Sequence, residues 1–277
     1  MIKIITDSTS DIDLDYAKTL NIEVVPLKVI IDGKEYKDRI DLQPDKFYQS
    51  LVESDVLPTT SQPSPQDFLD LFEKAKDHGD SVIALTLSSR VSGTYQSACI
   101  AKDLSEYDDI HVIDSFNATQ GLRIIVEKAV QLRDAGLSVE QIVNEIEDYK
   151  SRVHIFALVD TLEYFYKGGR LSKTSATVGT MLKLKPVVGL KEGTIDVFSK
   201  ARGTQKATLK VIELVENIDL NEPISIGYTG DNSGLDKFEN TLREALGFKD
   251  VLYGIVGPVI GTHAGPGARL IAYVEKV

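Results

Sequence analysis

The sequence predicts an α/β protein in two domains, a parallel-sheet α/β/α domain over residues 1–153 followed by an α+β domain with a mixed sheet over residues 154–277. Three observations lead there. In the first half, a short apolar run, a polar turn and a helical pattern follow one another repeatedly, the signature of a parallel sheet. After residue 153 that rhythm gives way to a hairpin pattern, which requires antiparallel pairing. The length, 277 residues, suits two domains at roughly 100 to 200 residues each.

Residues 1–6, MIKIIT, form a strand candidate that ends in Asp7-Ser8-Thr9-Ser10 and leads to a helical stretch over residues 14–20. Residues 24–36, with Asp32-Gly33 at the centre, read as a β-hairpin projecting from this unit. Residues 57–65, LPTTSQPSP, read as a Pro-stiffened connection in which Ser64 caps a helix with Pro65 at its first position. Phe68, Leu71, Phe72 and Ala75 then fall at helical spacing. Residues 81–87 predict a second strand, 88–93 its turn, and 94–104 a helix with Ala98, Ala101 and Leu104 on one side. Residues 110–113 predict a third strand, which enters Asp114-Ser115 and a helix over 118–135 stopped by Gly136. Ser138 opens another helix, with Gln141 completing a capping box.

The second half begins with a strand at 153–159, a short helix at 160–166 and a tight loop, Lys167-Gly168-Gly169-Arg170. A helix over 172–184 stops before Pro186. Residues 187–190 and 194–198 form a hairpin around Lys191-Glu192-Gly193. Helices over 204–215 and 235–246, and strands near 224–228, 251–256 and 270–274, complete the domain.

Composition narrows the function. Lys and Arg total 31 against 42 Asp and Glu, a formal charge of -11, so the bulk field repels nucleic acid and anionic membranes. A single Cys, Cys99, permits no internal disulfide, and one Cys with four scattered His offers no metal-ligand cluster. The N-terminus lacks an apolar stretch of signal-peptide length, and every apolar run is broken by charge or Gly within about ten residues. These features predict a cytoplasmic protein without stable membrane insertion.

The chemistry-bearing residues cluster in turns. Asp7 to Ser10, Ser88 to Thr94 and Asp114-Ser115 all follow strands, so a parallel sheet gathers them at its carboxyl edge, where hydroxyls and helix N-termini suit a carboxylate or phosphate. Ser8, Thr9 and Ser115 read as helix caps, whereas Gly93 between Ser92 and Thr94 lets a ligand approach the backbone closely. Thr59-Thr60-Ser61 brings three adjacent hydroxyls, and Asp7 with Asp11 reads as a polar helix start. Gly261 to Gly267 reads as a Gly/Pro-dense loop carrying His263, which has little core to pack in and faces an anion. Arg170, Arg202 and Arg269 each adjoin a glycine-marked turn. No G-x-G-x-x-G, G-x-x-x-x-G-K-[ST], H-E-x-x-H or G-x-S-x-G occurs.

Five motifs stand in order along the whole chain: Ile5-Thr6-Asp7-Ser8-Thr9-Ser10, Thr59-Thr60-Ser61-Gln62-Pro63-Ser64-Pro65, Val91-Ser92-Gly93-Thr94-Tyr95-Gln96-Ser97-Ala98, the stretch Asp160-Thr161-Leu162-Glu163-Tyr164 through Lys167-Gly168-Gly169-Arg170-Leu171-Ser172, and Gly261-Thr262-His263 with Gly265-Pro266-Gly267. On these motifs the chain resembles the DegV family, the bacterial fatty acid-binding carrier subunits of fatty acid kinase systems, with Arg90 a local departure where the family often has a small residue. The resemblance implies a long-chain fatty acid enclosed between the two domains and no cofactor. Its carboxylate would be held by Thr60 or Ser61 and by Ser92 with Gly93, with His263 and Arg170 at the head group. Arg202 would face the kinase. By the same resemblance the chain is not itself an enzyme: a separate kinase converts the bound acid to an acyl phosphate, which acyltransferases use in phospholipid synthesis. Two other classes stand beside this one. A Ser92/His263 acyl hydrolase or thioesterase lacks the G-x-S-x-G elbow, and a DNA-associated regulator is opposed by the charge of -11.

Overall fold

The computed structural model describes residues 1–53, 56–171 and 184–277. In chain order the first half contains β1 (Ile2–Asp7), a 3-10 turn (Ser8–Ser10), α1 (Leu14–Thr19), β2 (Ile22–Val25), β3 (Lys28–Ile31), β4 (Lys34–Lys37), α2 (Pro44–Glu53), β5 (Thr59–Ser61), α3 (Pro65–His78), β6 (Ser81–Thr86), α4 (Thr94–Ser105), β7 (Ile110–Asp114), α5 (Thr119–Asp134) and α6 (Val139–Ser151). The second half adds β8 (Val153–Leu158), α7 (Glu163–Lys167), β9 (Leu184–Lys191), β10 (Thr194–Arg202), α8 (Thr204–Leu214), β11 (Ser225–Tyr228), α9 (Leu235–Leu246), β12 (Leu252–Ile255), α10 (Pro258–Ala264) and β13 (Arg269–Val274).

Local chemistry sets many boundaries. The Ser64 and Ser138 side chains each accept from the backbone three residues on, and Asp67 and Gln141 return the bond, so both capping boxes close. Pro65 starts α3 and Gly79, at φ 65°, ends it in the left-handed region that favours glycine.

Three sheets result. A four-stranded parallel sheet runs in the order β2-β1-β6-β7, with residues 82–85 at most 1% exposed because helices cover both faces. A six-stranded mixed sheet runs β10-β9-β8-β13-β11-β12, parallel only between β11 and β12. A small antiparallel sheet, β4-β3-β5, stands beside them. Helix α5 joins the two large sheets: its fully buried Leu122, Ile124, Ile125, Val126 and Ala129 share one apolar cluster with Ile4 and Ile83 of the parallel sheet and Ile155, Leu270 and Ala272 of the mixed one. At the start of α5 the buried Gln120 takes a hydrogen bond from Ser225 at 2.7 Å. A Cβ at Gly254 would lie 2.2 Å from the Gln120 amide nitrogen, so glycine is what lets α5 approach this sheet.

Four readings need correction. Residues 59–61 are a strand, because β5 pairs antiparallel with β3. Of the predicted 24–36 hairpin only β3 and β4 form one; residues 24 and 25 belong to β2, which pairs parallel with β1. Residues 261–264 are helical rather than loop, since Pro258 at the first turn organises α10 ahead of Gly265. Helix α2 was not foreseen, although Phe47, Tyr48 and Leu51 form its buried stripe. The helix predicted at 172–184 lies outside the described residues except for Leu184, which opens β9.

Candidate functional site

The mixed sheet, the small sheet and α10 enclose a cavity of about 380 Å³, within the usual range of roughly 300 to 1,000 Å³ for small-molecule pockets. Its walls are mainly aliphatic: Ile155, Ala157, Val188 and Leu190 from the mixed sheet face Leu27 and Leu87. No Asp or Glu lines it among the described residues, in a chain that has 42 of them.

The polar lining gathers where three segments meet. The pairing of β5 with β3, Thr60 opposite Val29, sets the position of the three hydroxyls. On α10, Gly261 lets the helix close against α2, because a Cβ there would lie 2.4 Å from the Tyr48 hydroxyl. Two residues on, His263 is only 8% exposed, and its Nε2 meets the Thr60 Oγ1 at 2.8 Å. Burial, and secondarily the Arg170 charge, push the imidazole pKa down to about 3, so the ring is neutral near pH 7. Its Nδ1 is buried, with no hydrogen-bond partner among the described residues. Arg170, following α7, donates Nε to the Val91 carbonyl at 3.1 Å and Nη1 to the Gly168 carbonyl at 2.7 Å, and burial lowers its pKa. Ser92 shares a 2.9 Å hydroxyl contact with Thr94 at the start of α4. Gln62 ties the end of β5 to the start of α4, donating to the Gly93 carbonyl at 3.2 Å and to Ser97 Oγ at 2.9 Å.

Thr60, Ser61, Ser92, Arg170 and His263 therefore line one cavity, as does Gln62, which motif reading had left without a role. Gly93 sits just behind the lining as the N-cap of α4, pressed against the Gln62 amide. Arg202 is elsewhere: it ends β10, is exposed and does not line the cavity. Arg269 bonds the Ser233 carbonyl, away from the lining. The predicted surroundings of His263 are overturned, since the ring is packed into the protein rather than held on an open loop. A Ser92/His263 hydrolytic pair is not formed, because His263 contacts Thr60, Ser92 contacts Thr94, and among the described residues no carboxylate orients the imidazole.

A second polar group lies below. Asp11 is no exposed helix start: it is 3% exposed and receives Arg39 Nη2 at 2.9 Å, the Gly257 N–H at 2.8 Å and the hydroxyl of Thr119, a cavity-lining residue. Asp38 takes the Ser8 hydroxyl at 2.8 Å, and Asp7 takes the Leu87 N–H at 2.7 Å. Burial raises the Asp7 pKa to about 6 and the Asp38 pKa to about 7, against the opposing pull of Arg39 on Asp38. Residues scattered from 7 to 257 build this group, so no local motif announces it. Among the described residues no group of three or more His, Cys, Asp or Glu is placed to hold a metal ion, and no helix is long and apolar enough to cross a membrane.

Fold and cavity together define an α/β protein that encloses an apolar space closed by hydroxyls, an imidazole and a guanidinium. The chain belongs to the DegV family: the model described as "Uncharacterised protein, DegV family" matches residues 1–276. It is 40% identical over 278 residues to a DegV domain-containing protein of Caldanaerobacter subterraneus, with 99% of each chain covered. Among solved structures it is similar to a fatty acid-binding DegV family protein from Thermus thermophilus (34% identity, 99% of each chain, TM-score 0.89). It is also similar to a stearic acid-binding protein from Eubacterium ventriosum (29% identity, 99% of each chain, TM-score 0.90) and to DegV, a fatty acid-binding protein from Bacillus subtilis (32%, 99% of each chain, 0.87). Each of these three solved neighbours is a fatty acid-binding protein.

Proposed function

We propose that this protein binds one long-chain fatty acid in the 380 Å³ cavity and presents its carboxylate to a separate kinase, which converts it to an acyl phosphate for acyltransferases of phospholipid synthesis. The observation that carries this reading is the division of the cavity into acid-free aliphatic walls and one polar cluster of Thr60, Ser61, Ser92, Arg170 and His263. The fatty acids bound by its structural neighbours support it.

The energetics suit such a ligand. At roughly 0.8 kcal/mol per CH₂, a tail of about fifteen carbons gains on the order of 12 kcal/mol of gross transfer free energy, enough to offset immobilisation. The polar cluster then need only orient the carboxylate: Ser61 and Ser92 donate from either side, Gly93 keeps the backbone open, and Thr60 and Arg170 complete the head-group end. A neutral His263 adds a hydrogen bond rather than a second cation to a head group that must change from carboxylate to acyl phosphate. In the kinase step a carboxylate oxygen attacks the terminal phosphorus of a nucleoside triphosphate and the diphosphate leaves; this chain supplies the nucleophile's position and no catalytic group. Arg202, exposed at the end of β10, is the contact for the kinase, and the division at residues 153/154 separates the two domains that enclose the ligand.

Organic extraction of denatured protein followed by mass spectrometry tests the reading: one fatty acid per chain is expected. Folded protein that neither carries nor takes up a fatty acid overturns it.

A further inference from the structure

Asp11 does not line the cavity, yet its carboxylate fastens residues that do. Its Oδ2 accepts from the hydroxyl of Thr119, a lining residue at the start of α5, and its Oδ1 accepts from the Gly257 N–H, between the lining Val256 and α10. Arg39 pairs with the same Oδ1 at 2.9 Å and reaches on to the Ile255 carbonyl, while Tyr48 holds the Val256 carbonyl. Three consecutive residues leading into α10 are thus gripped from the first half of the chain. Glycine makes room for that grip: a Cβ on Gly257 would lie 3.0 Å from both Arg39 Nε and Asp11 Oδ1.

The backbone shows what this carboxylate holds in place. Asp11, Arg39 and Thr119 stand at φ 57°, 61° and 46°, in the left-handed region that costs most for a residue branched at Cβ, as Thr119 is. Such conformations persist only where the surroundings over-determine them, and here the Asp11 carboxylate ties all three together. The bonds are out of water, with Asp11 3% and Thr119 4% exposed. With its hydroxyl taken by Asp11, the Thr119 side chain has its methyl group left to offer a tail.

Helix α10 separates this network from the head-group cluster. Val256, Val259, Ile260, His263 and Ala264 line the cavity in order along it, and at roughly 1.5 Å per residue the axis rises about 9 Å between Gly257 and His263. Thr60 holds the His263 end, and Asp11 holds the other. We infer that Asp11 is a positioning residue for the lipid tail: through Thr119 and Gly257 it sets the stretch of wall against which the far half of a bound fatty acid packs. This rests on the fatty acid-carrier reading and adds to it a residue that touches no ligand atom.

The test reads the dependence of affinity on tail length. A short fatty acid of about ten carbons and a long one of about eighteen are titrated into each variant, and the ratio of the two affinities is compared, each buried methylene being worth roughly fourfold. Asp11→Ala is expected to lower the long-to-short ratio about tenfold, nearly two methylenes' worth. Thr119→Val, which keeps the side-chain shape and the Asp11–Arg39 pair, is expected to do the same. Thr119→Ser keeps the hydroxyl and is expected to stay within about fourfold of the wild-type ratio. General loss of stability weakens both acids alike and leaves the ratio unmoved. A ratio unchanged in Thr119→Val, or in Asp11→Ala where that variant folds, therefore overturns the positioning role. A fall in Thr119→Ser as large as in Thr119→Val assigns the effect to the methyl group and overturns it too. A wild type that binds neither acid overturns the carrier reading itself.

Discussion

His263 shows how burial changes what a residue can do. Its pKa of about 3 lies below the 6.5 of an unfolded chain, so the unfolded state takes up the proton first and the stability this residue contributes is present above pH 6.5 and lost as pH falls toward 3. His263→Gln should therefore flatten the acid limb of a thermal-unfolding profile between pH 6 and 4; an unchanged slope would show that the ring is not held neutral. A bound carboxylate beside the ring should raise its pKa, so ligand-loaded protein should show the shallower limb without mutation. The hydroxyls act more modestly. Thr60→Ala and Ser92→Ala should each weaken fatty acid binding about threefold to tenfold, the loss of one neutral hydrogen bond, with little change in melting temperature. Unaltered titration curves for both would reduce these residues to caps and strand neighbours.

Elements place those side chains, and glycines decide how close the elements come. Gly93 opens α4 beneath Gln62, where an added Cβ would stand 2.0 Å from the amide oxygen. Gly93→Ala should dislodge Gln62 from Gly93 and Ser97, loosening the joint between β5 and α4 more than the fold, because the obstructing atom ends a flexible side chain. Ligand affinity should fall with a small change in melting temperature. Gly265 is a harder case: it sits at φ 73° and a Cβ would lie 2.3 Å from the Tyr164 ring. Gly265→Ala should destabilise by about 1 to 3 kcal/mol, read as a drop of several degrees in the unfolding midpoint, because both backbone strain and the α10–α7 contact oppose it. A midpoint within one degree of wild type would refute that packing. The capping boxes of α3 and α6 were legible residue by residue; β5 was not, since three hydroxyl-bearing residues between prolines carry no apolar alternation and gain their strand character from β3 alone.

Across the whole molecule, the buried acid group joins early and late parts of the chain. Arg39 bonds the Ile255 carbonyl, Asp11 takes the Gly257 N–H, and Tyr48 donates to the Val256 carbonyl at 2.9 Å. The raised pKa values of Asp7, about 6, and Asp38, about 7, exceed the 3.8 of an unfolded Asp, so the folded state holds these protons more tightly. Their favourable contribution is complete below about pH 4 and is lost as pH rises through 6 and 7. The melting temperature of Asp38→Asn relative to wild type should accordingly shift in favour of the variant between pH 5 and pH 8. A constant difference across that range would mean that Asp38 is ionised throughout.

The sequence by itself determined the fold class, the parallel first sheet, the mixed second sheet and which hydroxyl, histidine and arginine motifs to watch, because periodicity, caps and turns are written within a few residues of one another. Tertiary structure alone decided that His263 is buried and neutral against Thr60, that Gln62 bridges two motifs, that Asp11, Asp38 and Arg39 form one network, and that Arg202 stands apart from the cavity. Each of these depends on contacts between segments tens to hundreds of residues apart. Desolvation, which sets the charge of His263, Asp7 and Asp38, is a property of what surrounds a group in space, and the neighbours that supply it are brought up only when α5 and α10 draw the sheets together.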